Sequence, residues 1–124
     1  MKRQLRPLIA GLFIAASMPP WGWWPLSFIG IVLYASVARE RRTTSPFVTA
    51  LVFGIGWFLP AMAWMWFLTA PGYLIVVLLF ASLHGLAARA AAFFPEGMSH
   101  TAALVVFHSL AETAVSYTHL RAHE

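Results

Sequence analysis

The chain has 124 residues, of which 60% are hydrophobic and 10% charged, with a net charge of +4. Soluble domains carry about 25% charged residues, so a water-solvated globule of this size is excluded as the simple reading. The sequence has no cysteine, which excludes disulfides, thiolate metal sites and a cysteine nucleophile within these residues.

Two stretches, Pro7 to Ala38 and Thr43 to Ala88, contain no Asp, Glu, Lys or Arg. A spanning helix needs about 20 mostly apolar residues, so these stretches predict several membrane spans. The first runs from about Leu5 to Met18, after Lys2, Arg3 and Arg6, and Pro19-Pro20 ends it. This basic-then-apolar opening also resembles a signal peptide; the reading adopted is a retained first helix, because more spans follow directly. Trp21-Gly22-Trp23-Trp24-Pro25 suits an aromatic anchor at headgroup level. The second span runs from about Leu26 to Ala38 and stops at the charged loop Arg39-Glu40-Arg41-Arg42.

Pro46 fits a first helical turn. It opens a third span from about Phe47 to Leu68, where Gly54, Gly56 and Pro60 predict a bend or close helix contact. Ala70-Pro71-Gly72 reads as a tight turn. The fourth span covers about Tyr73 to Phe94 with Arg89 near its end, and Pro95-Glu96-Gly97 is the next turn. A weaker fifth span covers about Thr101 to Val115.

The expected fold is therefore an all-α membrane protein, a bundle of about five transmembrane helices forming one domain over residues 1–115. The basic groups sit where short cytoplasmic loops would be. The N-terminus, the Arg39–Arg42 loop and Arg89 then lie on the inner side. These clusters abut apolar runs, so they read as topology signals and not as a nucleic-acid footprint. Trp21, Trp23, Trp24, Trp64 and Trp66 all fall at the outer face. An aromatic belt accounts for them; the sharper expectation is an outer-leaflet groove that contacts lipid.

Glu112 is the only acid within an expected span, and His108 lies four residues before it on the same helix face, with Ser116 continuing the stripe. A carboxylate in lipid is costly and faces a partner or a wet cavity, unless it sits at the interface and is solvated. His84, near Ser82 and Gly85, is mid-span and fits helix-helix hydrogen bonding. His84, His108 and Glu112 are thus the intramembrane polar candidates. A His/Glu pair is too few ligands for a metal site, and there is no H-E-x-x-H. Gly54-x-Gly56 lacks the continuation of a dinucleotide fingerprint. No catalytic, cofactor-binding or metal-ligating set can be assembled from these residues.

The order of motifs carries a resemblance over residues 5–114. The basic-led first span followed by Met18-Pro-Pro-Trp-Gly-Trp-Trp-Pro-Leu26 is similar to the opening of bacterial apolipoprotein N-acyltransferases. Phe53-Gly-Ile-Gly-Trp-Phe58 with Ala63-Trp64 resembles that family's third-span pattern. Leu110-Ala-Glu112 resembles its L-x-E-x-x-R-G segment, although Val115 stands where the Arg is expected. The resemblance implies a multi-pass protein of the bacterial inner membrane. It also implies acyl transfer from a phospholipid, through an enzyme thiol, to the N-terminal amine of a diacylglyceryl lipoprotein. The family's catalytic Glu, Lys and Cys lie in a nitrilase-like domain that would follow these spans. This chain has no Cys, so it is expected to be the anchoring part alone and inactive by itself. Residues 116–124, Ser-Tyr-Thr-His-Leu-Arg-Ala-His-Glu, resemble translated sequencing-adapter read-through. The alternative is a complete small integral membrane protein with a structural or transport role.

Overall fold

Prolines and one threonine cap set where the helices begin. In the computed structural model, which describes residues 2–40, 45–95 and 98–121, five α-helices follow one another and no strand occurs among the described residues. They are α1 (Lys2–Ser17), α2 (Pro25–Arg39), α3 (Pro46–Ala61), α4 (Ala70–Ala91) and α5 (Met98–Arg121). Pro25, Pro46 and Pro71 each stand in a first turn, where the missing N–H costs nothing. The expected turn at Ala70-Pro71-Gly72 is thus the opening turn of α4: the Thr69 hydroxyl accepts from the Gly72 N–H at 3.3 Å, which caps the helix.

The expected third span does not run unbroken to Leu68. Pro60 stands in the last turn of α3, the helix ends at Ala61, and Ala63–Phe67 forms a short 3-10 segment. Proline removes one backbone donor and crowds the preceding turn, so a continuous helix through this point is disfavoured. Trp64 and Trp66 therefore sit on a 3-10 turn, not a transmembrane helix. The fifth helix is longer than expected, running through Ser116 to Arg121. Arg41, Arg42, Glu96 and Gly97, assigned above to loops, lie outside the described residues.

The helices pack in the spatial order α2, α1, α3, α4, α5, each against the next. At one end Arg6 of α1 pairs with Glu40 after α2 at 3.0 Å, and the Arg39 guanidinium donates to the Thr101 hydroxyl of α5 at 3.1 Å. This is the basic end. The chain reverses at each loop, so Trp21–Trp24 and Trp64–Trp66 stand at the opposite end.

Alanines fill the closest helix contacts beside a few aromatic rings such as Phe53, Phe58 and Phe80, while many large apolar side chains face outward. Ala10, Ala50, Ala81 and Ala91 are fully buried, while Phe28, Val32, Ile75 and Val105 are all more than 60% exposed. That distribution inverts a soluble core and matches helix packing in lipid, where small residues let backbones approach. Gly54 shows the approach directly: a Cβ there would lie 2.7 Å from Cα of Ala81, so α3 and α4 touch backbone to backbone.

At about 1.5 Å per residue, helices of 15 or 16 residues reach roughly 24 Å against a hydrocarbon core of about 30 Å. Among the described residues only α4, with 22, is long and apolar enough to cross a membrane. The fold is all-helical with five helices; a five-span bundle does not follow from helix length.

Candidate functional site

Four polar side chains from three helices meet in the middle of the bundle. His84 lies on α4 and is 1% exposed. His108 and Glu112 occupy one face of α5, separated by one turn as their spacing requires. Tyr34 reaches in from α2 and is buried. His84 Nδ1 is 2.8 Å from His108 Nδ1. His108 Nε2 is 2.9 Å from the Tyr34 hydroxyl. His84 Nε2 is 2.9 Å from Glu112 Oε1, off the axis of a formed hydrogen bond, so this last link is a close polar contact.

Aromatic rings hold the cluster in place. Tyr34 stacks on Phe53 of α3 at 4.1 Å, and the two histidine rings lie edge to edge and nearly coplanar, 5.1 Å between centroids and 22° between planes. Trp57 and Phe58 of α3 each lie 5.5 Å from the His84 ring. Stacked planar rings fix the rotamers that let nitrogen face nitrogen. Buried polar groups in an apolar bundle are costly unless paired; His108 is hydrogen-bonded at both ring nitrogens and His84 at Nδ1, with Glu112 close to its Nε2.

The cluster borders open space. A cavity of about 390 Å³ is lined by Tyr34, His84, His108, Ser109 and Glu112 together with Ile14, Phe53, Trp57 and Leu104. The carboxylate of Glu112 also borders a second cavity of about 270 Å³, shared with Met18, Met62 and Ser116 toward the tryptophan end. Toward the basic end, Tyr34 borders a pocket of about 20 Å³ with Glu40, Thr49 and His100.

The sequence candidates thus divide. His84, His108 and Glu112, which the sequence offers separately, form one contact chain. Ser116 stays on the Glu112 side as part of the cavity wall. Ser82 turns away and donates to the Leu78 carbonyl at 2.6 Å. Tyr34 was not legible as a site residue, because a tyrosine in an apolar helix reads as packing; its only signal was a hydroxyl placed away from either helix end. Trp21, Trp23, Trp24, Trp64 and Trp66, at the end opposite the basic one, are between 51% and 68% exposed. Trp24 meets Phe28 edge-on at 6.2 Å, and Trp66 meets Tyr73 at 6.1 Å.

The geometry does not gather a metal-binding set. Glu112 and His108 approach opposite nitrogens of His84, so the donors run in series and do not converge on one point. Among the described residues no three His, Asp or Glu side chains are placed to hold an ion.

The model of the family described as apolipoprotein N-acyltransferase N-terminal domain matches residues 10–120. No curated protein and no solved structure matches the chain.

Proposed function

The chain belongs to the apolipoprotein N-acyltransferase N-terminal domain family, and from that premise we propose that it is the membrane-embedded anchoring part of a lipoprotein N-acyltransferase. In the full-length protein the helices hold the catalytic domain at the bacterial inner membrane. The acyl donor there is a membrane phospholipid and the acceptor is the N-terminal amine of a diacylglyceryl lipoprotein. The observation that carries this reading is the family match over nearly the whole chain, together with the apolar outer face of the helices.

Several crossings are part of the proposal. The short helices α1, α2 and α3 span a locally thinned bilayer, with the exposed tryptophans at its outer surface. Trp21, Trp23, Trp24, Trp64 and Trp66 then border a path by which an acyl chain reaches the enzyme's reaction centre. The thiol that carries the acyl group is supplied by a following domain, since this sequence has no cysteine. Residues 116–124 are read as foreign to the native frame, although the family match runs on to residue 120.

The test starts from the source DNA. Re-reading it past the codon for Val115 is expected to yield a frame that continues into a domain with Glu, Lys and Cys. That longer protein should transfer acyl chains in vesicles, and Trp23→Ala with Trp64→Ala should slow it at least several-fold. A genuine stop after Glu124 would remove the enzyme reading, and unchanged rates in the tryptophan variant would remove the lipid path.

A further inference from the structure

The Tyr34–His108 and His108–His84 contacts are hydrogen bonds that hold one proton each, and the 2.9 Å His84–Glu112 contact holds one once the carboxylate turns onto its axis. Three contacts in series, with two neutral imidazoles between them, allow only two arrangements. A neutral imidazole donates from one nitrogen and accepts at the other, so fixing one end fixes all the rest.

With Glu112 ionised, His84 carries its proton on Nε2 and accepts at Nδ1. His108 then carries its proton on Nδ1 and accepts at Nε2, and the Tyr34 hydroxyl donates to it. With Glu112 protonated, every direction reverses. The carboxyl donates to His84 Nε2, His84 Nδ1–H donates to His108 Nδ1, and His108 Nε2–H donates to the Tyr34 oxygen. The second arrangement holds one more proton than the first.

We infer that this chain of side chains is a proton relay, delivering a proton received at Tyr34 to Glu112 by reversing its hydrogen-bond direction. A water-borne proton in the small pocket beside Tyr34, Glu40 and His100 binds the Tyr34 oxygen. At about 20 Å³ that pocket has room for one water. Tyr34 passes its own proton to His108 Nε2. His108 passes its Nδ1 proton to His84 Nδ1, and His84 passes its Nε2 proton to Glu112. Tyr34 ends neutral, both imidazoles end neutral with the opposite tautomer, and Glu112 goes from carboxylate to carboxyl. One proton enters and one is gained at Glu112, which faces the two larger cavities. No imidazolium and no tyrosinate is left at the end of the step.

The surroundings favour a closed relay. The side chains that α1 and α3 present to the cluster are Ile14, Phe53, Trp57 and Phe58, none of them titratable. The titratable groups facing it are its own members: Tyr34 from α2, His84 from α4, and His108 and Glu112 from α5. Arg39, Glu40 and His100 stand at the basic end beyond Tyr34, where the proton enters. The inference is independent of acyl transfer and needs no part of the protein beyond these helices.

The test is nitrogen NMR of the histidine-labelled full chain in bilayers, with infrared spectra of the same sample, from neutral to acidic pH. The expected result is one coupled change. The His84 proton moves from Nε2 to Nδ1, the His108 proton moves from Nδ1 to Nε2, and a protonated-carboxyl band appears at the same pH. Tyr34→Phe, which keeps the ring stacked on Phe53, should leave the starting tautomers in place and slow the change by tenfold or more. Glu112→Gln should abolish the carboxyl band. Separate titration of the two histidines, doubly protonated imidazolium at either, or an unaltered rate in Tyr34→Phe would each overturn the relay.

Discussion

His84→Leu is expected to produce the largest loss of stability of any single polar substitution in the bundle. The side chain is 1% exposed and stands between His108 and Glu112. Removing it leaves the Nδ1 of His108 without its partner in an apolar interior and takes away the imidazole that Glu112 approaches. A buried group stranded in this way costs about 1–3 kcal/mol. Hydrogen bonds between membrane helices are worth somewhat less, about 0.6 kcal/mol on average and up to about 1.7. A loss of about 1–2 kcal/mol is therefore expected, read as a lowered unfolding midpoint in lipid nanodiscs. The triple variant His84→Leu/His108→Leu/Glu112→Leu should regain much of that loss, because replacing all partners by apolar groups strands nothing except the Tyr34 hydroxyl. A single variant as stable as the parent, or strictly additive losses, would mean that the four side chains are not coupled.

Gly54→Leu should act with comparable size through a different cause. A Cβ at this position meets Cα of Ala81 at 2.7 Å and its Cβ at 3.0 Å. The obstacle is backbone and a methyl group, so no side chain can rotate away. Overpacking of this sort costs about 1–3 kcal/mol, and here it separates α3 from α4. Since His84 is on α4 and its stacking partners Trp57 and Phe58 are on α3, the polar chain loses its walls as well. Near-complete loss of a monodisperse folded species on size exclusion is the expected outcome. Leu79→Ala, on the exposed face of α4, serves as the control and should behave as the parent. If Gly54→Leu also behaves as the parent, the α3–α4 contact is not tight.

Local signals decided most of what was legible in advance. Pro46 marks a helix start because proline suits a first turn, and α1 and α2 fall where the apolar runs lie; Pro25, read as part of the tryptophan anchor, is in fact the first residue of α2. Pro71 was read as part of a tight turn, but with Thr69 as the cap it lies in the first turn of α4. Pro60 predicted a bend, yet its place in the final turn of α3 ended the helix and left the Trp64–Trp66 segment in a 3-10 turn. No short-range pattern distinguishes those two outcomes.

The site was legible only in pieces. The spacing of His108 and Glu112 put them on one face of a helix. Which residue that face meets is set by how α5 lies against α4 and α2, and periodicity is blind to that. His84 and Tyr34 therefore joined the cluster only through tertiary packing. The hydroxyl of Tyr73 is a similar case: it donates to the Leu59 carbonyl across the loop between α3 and α4, a contact no sequence pattern announces.

The proposed domain crosses the membrane several times with its basic end inside. Because the chain has no cysteine, one cysteine at a time can report each loop without background. The measurement is labelling of Trp23→Cys, Ser45→Cys, Phe67→Cys and Phe93→Cys in intact bacterial cells with a membrane-impermeant maleimide. The account predicts that positions 23 and 67 label from outside, while 45 and 93 label only after the membrane is opened. Equal labelling of all four positions in intact cells, or of none, would contradict it.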